Sequence, residues 1–190
     1  MLGKKGGIMR HRIVVGVVLV GLAAQSGLAA ADSKVKACSL LTEEDIAGAL
    51  AGKAGEGHPT DMQRSSGPQK GQTLYGCMWK VGAQDMLSVT VMAAMTGAAR
   101  EAGLAKMRQA FETLRQKGWT EEKQTFGGGV CLTMTPPASE PKAGGHTPLM
   151  AGCMGEAKGM AISVGTMSPT TKYALAKIKA LYDKVVSRLP

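Results

Sequence analysis

Four cysteines are the first residues whose chemistry invites a reading. Cys38, Cys77, Cys131 and Cys153 lie 39, 54 and 22 residues apart. No Cys-x-x-Cys occurs among them, which argues against a zinc site, and no Cys-x-x-Cys-His is present for covalent haem. An even number of cysteines does supply disulfides wherever the compartment is oxidising. Four cysteines allow three pairings, and spacing alone does not choose among them. The pairing preferred here is Cys38–Cys77 with Cys131–Cys153. The first bond would staple a short helix to a strand, and the second would join neighbouring strands.

The remaining reactive residues form no recognisable constellation. Glu43, Glu44 and Asp45 are adjacent acids, but consecutive helical positions do not converge on one reacting atom. At a helix start such acids are explained by the helix dipole. His58 and His146 sit beside Pro59 and after Gly144-Gly145, where solvated loop histidines are common. No Gly-x-Ser-x-Gly is present. Gly127-Gly128-Gly129 is not followed by Gly-Lys-Ser/Thr, so it is not a phosphate loop. An enzyme would need residues that converge only in three dimensions.

Methionine is the one surplus. The chain has 13, and soft thioethers suit Cu(I). Met78, Met92, Met95, Met134, Met150, Met154, Met160 and Met167 raise a copper-handling alternative. Core filling is the ordinary role of methionine in a protein with so few aromatic residues, and it is the reading favoured. Tyr75 and Trp79 are the only close aromatic pair. They are candidates for the floor of a ligand groove, although packing beneath a helix is favoured for them too.

These residues belong to an exported chain. Lys4, Lys5, Arg10 and Arg12 precede an uncharged apolar run, Ile13–Ala24, and Ala29-Ala30-Ala31 provides small residues before Asp32. That is the pattern of a signal peptide over residues 1–31, cleaved between Ala31 and Asp32. The run is too short to span a bilayer. Residues 32–190 then form one domain, periplasmic or secreted, with no transmembrane segment. The leader holds four of the 23 basic residues and none of the 14 acids, leaving +5 on the mature chain against +9 for the whole. That charge is ordinary for solubility and makes no case for nucleic acid.

Pattern suggests which elements carry the cysteines. Gly76-Cys77-Met78 recurs as Gly152-Cys153-Met154. Leu87–Met92 recurs as Ile162–Met167, and Leu104–Met107 as Leu175–Ile178, in the same order. Each unit reads as strand, strand, helix. Tyr75, Cys77, Trp79 and Val81 alternate at strand period, as do Leu87, Val89 and Val91. Leu104, Met107, Phe111 and Leu114 then fall at helical spacing, up to Gly118. In the second unit Ser168-Pro169-Thr170-Thr171 reads as a helix start before the stripe Leu175, Ile178, Tyr182, Val185 and Leu189. Thr42 caps a short helix, Glu43–Leu50. Residues 125–135 read as one extended segment bent at its glycines. Residues 51–72 and 136–148 read as long loops. The expected fold is α+β: an antiparallel sheet of about five strands, with amphipathic helices on one face, built from a duplicated strand-strand-helix unit.

Ala37-Cys38-Ser39-Leu40-Leu41-Thr42-Glu43-Glu44-Asp45-Ile46, with the later Cys77-Met78-Trp79, resembles a known envelope family. These are secreted domains of unknown function in actinobacterial lipoproteins, which open with a Cys-x-Leu-Leu-Thr helix and carry a later Cys-x-Trp or Cys-x-Tyr strand. The layout is also similar to the extracellular sensor domains of certain mycobacterial Ser/Thr kinases. The resemblance implies a Cys38–Cys77 disulfide and a helix-on-sheet fold with duplicated halves. It implies no chemistry. The expected function is therefore non-enzymatic: an envelope domain, without cofactor, that binds a protein partner or a small ligand.

Overall fold

The computed structural model describes residues 35–66, 70–138 and 148–190. The expected leader, its expected Ala31–Asp32 junction and His146 lie outside the described residues. A 3-10 turn (Ala37–Ser39) leads into α1 (Glu43–Leu50). The start of α1 is set by a reciprocal capping box. The Thr42 hydroxyl accepts from the Asp45 N–H, and the Asp45 carboxylate accepts from the Thr42 N–H. Ile46 and Leu50 form its buried side.

Two short strands follow, β1 (His58–Pro59) and β2 (Met62–Gln63), and both pair with β3 (Thr73–Val81). β3 turns into β4 (Asp85–Ala93), and helix α2 (Gly97–Gln116) follows. Next come two more hairpins, β5 (Thr120–Phe126) with β6 (Gly129–Thr135), and β7 (Leu149–Ala157) with β8 (Met160–Ser168). Helix α3 (Leu175–Arg188) closes the described chain. All pairings are antiparallel, in the order β1-β3-β4-β8-β7-β6-β5, with β2 also on β3.

The sheet therefore has eight strands among the described residues, not five. β5 is an edge strand of charged and polar residues, whose sequence, Thr-Glu-Glu-Lys-Gln-Thr-Phe, hides its period. What reads as one bent segment is its hairpin with β6, and Gly128 takes the positive φ (+83°) that the turn needs. β1 and β2 arise within the expected loop 51–72 because the backbone of β3 is there to pair with.

The helices also depart from expectation, since they cover both faces. Odd-numbered residues of β3, β4, β6 and β7, with even-numbered residues of β8, point to one side. There Cys77, Trp79, Val89, Val164 and Cys153 form the main core. Helix α3 buries Leu175, Ile178, Leu181, Tyr182 and Val185 against this face and packs beside α1. Helix α2 lies over the opposite face, where Phe111 and Leu114 meet Leu132, Met134, Met150 and Met154. The duplicated unit is corrected on the same ground. The element order repeats, but the two helices end on opposite faces, and β5 and β6 have no full-length counterparts. Helix α3 also starts later than the sequence suggests. Ser168 Oγ accepts from the N–H groups of Thr170 and Thr171, which makes a turn, and Ala174 is the residue before the helix.

Two disulfides fasten the structure, and no described cysteine is free. Cys38–Cys77 ties the 3-10 turn to β3. Cys131–Cys153 joins directly opposed residues of β6 and β7, with Cα atoms 3.9 Å apart.

Candidate functional site

The geometry that suits binding lies on the α2 face. Helix α2 carries an apolar stripe, yet none of its 20 residues is buried. Its C-terminal half docks through Phe111 and Leu114. Its N-terminal half presents Ala99, Ala102 and Gly103 to the sheet, and side chains so small cannot fill the space beneath them. The result is a groove of about 520 Å³. Its floor includes Thr90, Met92, Val130, Met154, Ala161 and Ser163, and its helix wall includes Leu104 and Met107. A volume of this size falls within the ~300–1,000 Å³ of small-molecule sites.

Charge collects at the rim. Arg64, Arg100 and Lys106 border the groove, against one carboxylate, Glu156. Arg100 Nε lies 3.0 Å from Glu156 Oε1, which links α2 to β7 across the opening. Both partners are well exposed, so the pair is worth little as stabilisation. Arg64 and Lys106 carry no ion pair among the described residues.

The residues singled out by sequence lie elsewhere. Trp79 is buried in the main core with its indole against Gly57, and Tyr75 packs on the same side. Their face is thus covered by the chain itself, and the groove opens on the other side of the sheet. His58 stands exposed on β1. Glu43 and Glu44 are exposed on the first turn of α1, and Asp45 serves the capping box. Among the described residues no group of three or more His, Cys, Asp or Glu side chains is placed to hold a metal ion. No helix of the described residues is long and apolar enough to cross a membrane.

The methionines are the residues whose arrangement sequence reasoning missed. Seven of the eight in β3–β8 fall on the α2 face, with Met160 the exception. A signal for this exists in residues 86–92, where Met86 and Met92 stand out of phase with Leu87, Val89 and Val91. Aliphatic residues fill one face of the sheet, and thioethers are concentrated on the other.

The sequence matches no protein-family profile and no curated protein. The structure is similar to the crystal structure of the extracellular domain of PknH from Mycobacterium tuberculosis, with 11% identity and a TM-score of 0.53. The match covers 80% of this chain and 94% of that one. At that identity the likeness is one of fold alone.

Proposed function

We propose that this chain is an exported, non-enzymatic binding domain, and that its ligand is an elongated apolar small molecule seated between α2 and the sheet. One observation carries the reading: an apolar helix stripe stays half-buried above an apolar floor, with small residues where bulky ones would close the gap. Rim cations outnumber rim carboxylates, so an acidic end group suits the opening. Two disulfides and the leader pattern support a periplasmic or secreted location. Likeness to an extracellular domain, and the Cys-x-Leu-Leu-Thr resemblance to envelope proteins, agree with a sensing or carrier role more than with catalysis.

The test is displacement of a fluorescent fatty acid by oleate from the purified exported protein, repeated with Gly103→Leu. Gly103 faces the groove, and a Cβ there meets only the flexible end of Met95, at 2.8 Å. Leucine should fill the groove while gaining roughly 0.5–0.8 kcal/mol of helix propensity over glycine. One probe per chain, lost in a variant that melts no lower than wild type, is the expected result. Absence of saturable binding, or binding indifferent to Gly103→Leu, refutes the groove and shifts weight to a protein partner.

A further inference from the structure

Strand register assembles a feature that no stretch of sequence contains. Lys80 opposes Met86, Met86 opposes Met167, Met167 opposes Met150, Met150 opposes Met134, and Met134 opposes Glu121. One row thus crosses all six long strands, and its four central residues are methionines on the face away from the main core. The Met134 end is buried. The other end is open to solvent, with Met86 40% and Met167 48% exposed. The four large apolar residues that the described chain leaves exposed, Met62, Met78, Met86 and Met167, are all methionine. Burial gives no reason to prefer methionine at such positions, because there the side chain gains nothing from filling space.

We infer that Met86 and Met167, with Met150 beside them, form a binding site for a soft monovalent cation, Cu(I) in an oxidising envelope. Thioethers are neutral, polarizable ligands that select such ions over Mg²⁺ or Ca²⁺. An ion held linearly between two sulfurs at roughly 2.3 Å each needs them roughly 4.6 Å apart. Directly opposed residues on one face have Cβ atoms ~4.5–5.5 Å apart, and the flexible methionine side chains can bring their sulfurs to that span. Met150 offers the next step of the same row. Lys80 flanks the open end and disfavours any cation there, so the neutral thioethers must supply the affinity. The site is separate from the groove's proposed ligand and does not depend on it.

The test uses Ag(I) as a redox-inert probe in chloride-free buffer, read by native mass spectrometry. Cu(I) affinity is then measured anaerobically by competition with a chromogenic chelator. The wild-type protein should retain one Ag(I). Met86→Leu and Met167→Leu should each weaken Cu(I) binding by roughly tenfold or more, because each removes one of two ligands. Met62→Leu, exposed but off the row, should change nothing. Leucine conserves volume, so circular dichroism should show all variants folded. A second readout needs no variant: bound Ag(I) should protect Met86 and Met167, and not Met62, from peroxide oxidation in a peptide map. No retained Ag(I), retention unaffected by the Met86→Leu/Met167→Leu pair, or uniform oxidation with metal present would each overturn the site.

Discussion

Asp45 joins the two helices of the main core, and replacing it by asparagine isolates what its charge contributes. Its carboxylate accepts from the Thr42 N–H and hydroxyl, both at 2.9 Å, and from Arg188 at the end of α3. Arg188 Nη1 also donates to the Leu40 carbonyl at 2.9 Å, and Lys184 Nζ lies 3.9 Å from Asp45. The hydrogen bond from Arg188 is the largest cause that holds the Asp45 carboxyl at about 2, against an ordinary 3.8; burial opposes it, and the Thr42 bonds assist. A depression from 3.8 to about 2, at ~1.4 kcal/mol for each tenfold change, sets an upper bound of roughly 2–2.5 kcal/mol. The Arg188 side chain is 34% exposed, so solvent screening removes part of that. Asparagine keeps an acceptor for the capping box but loses the charge. Asp45→Asn should therefore cost about 1–2 kcal/mol at pH 7, a fall of ~2–8 °C in Tm.

Urea unfolding with the disulfides intact measures the difference, and acid decides its cause. The folded-state pKa is depressed, so the Asp45 contribution is fully present above about pH 4 and is lost as pH falls toward 2. The gap between wild type and Asp45→Asn should close over that interval. A gap below ~0.5 kcal/mol at pH 7 would show that the ion pair contributes no more than an ordinary surface pair. A gap that persists unchanged at pH 2 would show that the variant disturbs packing, and the charge argument would fail.

Two further predictions concern stability, and they join the ligand and silver tests above. Tyr173 donates its hydroxyl to Asp85, and burial, followed by that bond, pushes its ionisation well above the ordinary tyrosine range. Tyr173→Phe should lower stability by about 1 kcal/mol in urea unfolding, with wild type showing no tyrosinate signature from this residue at pH 10. Reduction should be costly, because the disulfides span 39 and 22 residues, worth about 4 and about 3 kcal/mol by restriction of the unfolded chain. Thermal melting with a strong reductant should fall by more than 10 °C, and a melt unchanged by confirmed reduction would reject that account.

Helix α1 was legible because its signals are local: Thr42 and Asp45 satisfy each other within one turn. The stripe of α3 was legible because five apolar residues repeat at helical spacing over one buried face. The hairpin β3–β4 was legible from alternation, and β7–β8 from the recurrence of its segments. β5 was not, since an edge strand gains its stability from one neighbour's backbone and shows water a charged surface. Nor could the sequence say which side of the sheet α2 would cover. Its stripe resembles that of α3 in composition, and the choice rests on which sheet face is already occupied. The groove follows from that choice, because Gly103 and its alanines matter only once a wall stands opposite them.

The methionines show most directly what register adds to composition. Read along the chain, they are scattered singly, and scattered methionine is ordinary core filling. Read across the sheet, Met86, Met167, Met150 and Met134 fall into one row, although they come from four strands spread over 82 residues of sequence. A one-residue slip of β8 against β4 would break the row and would also turn Val164 out of the main core. The register that buries the aliphatic face thus aligns the thioethers on the other. Any substitution that preserves the first should preserve the second, so the methionine row can be changed to leucine, one residue at a time, without moving the strands that define it.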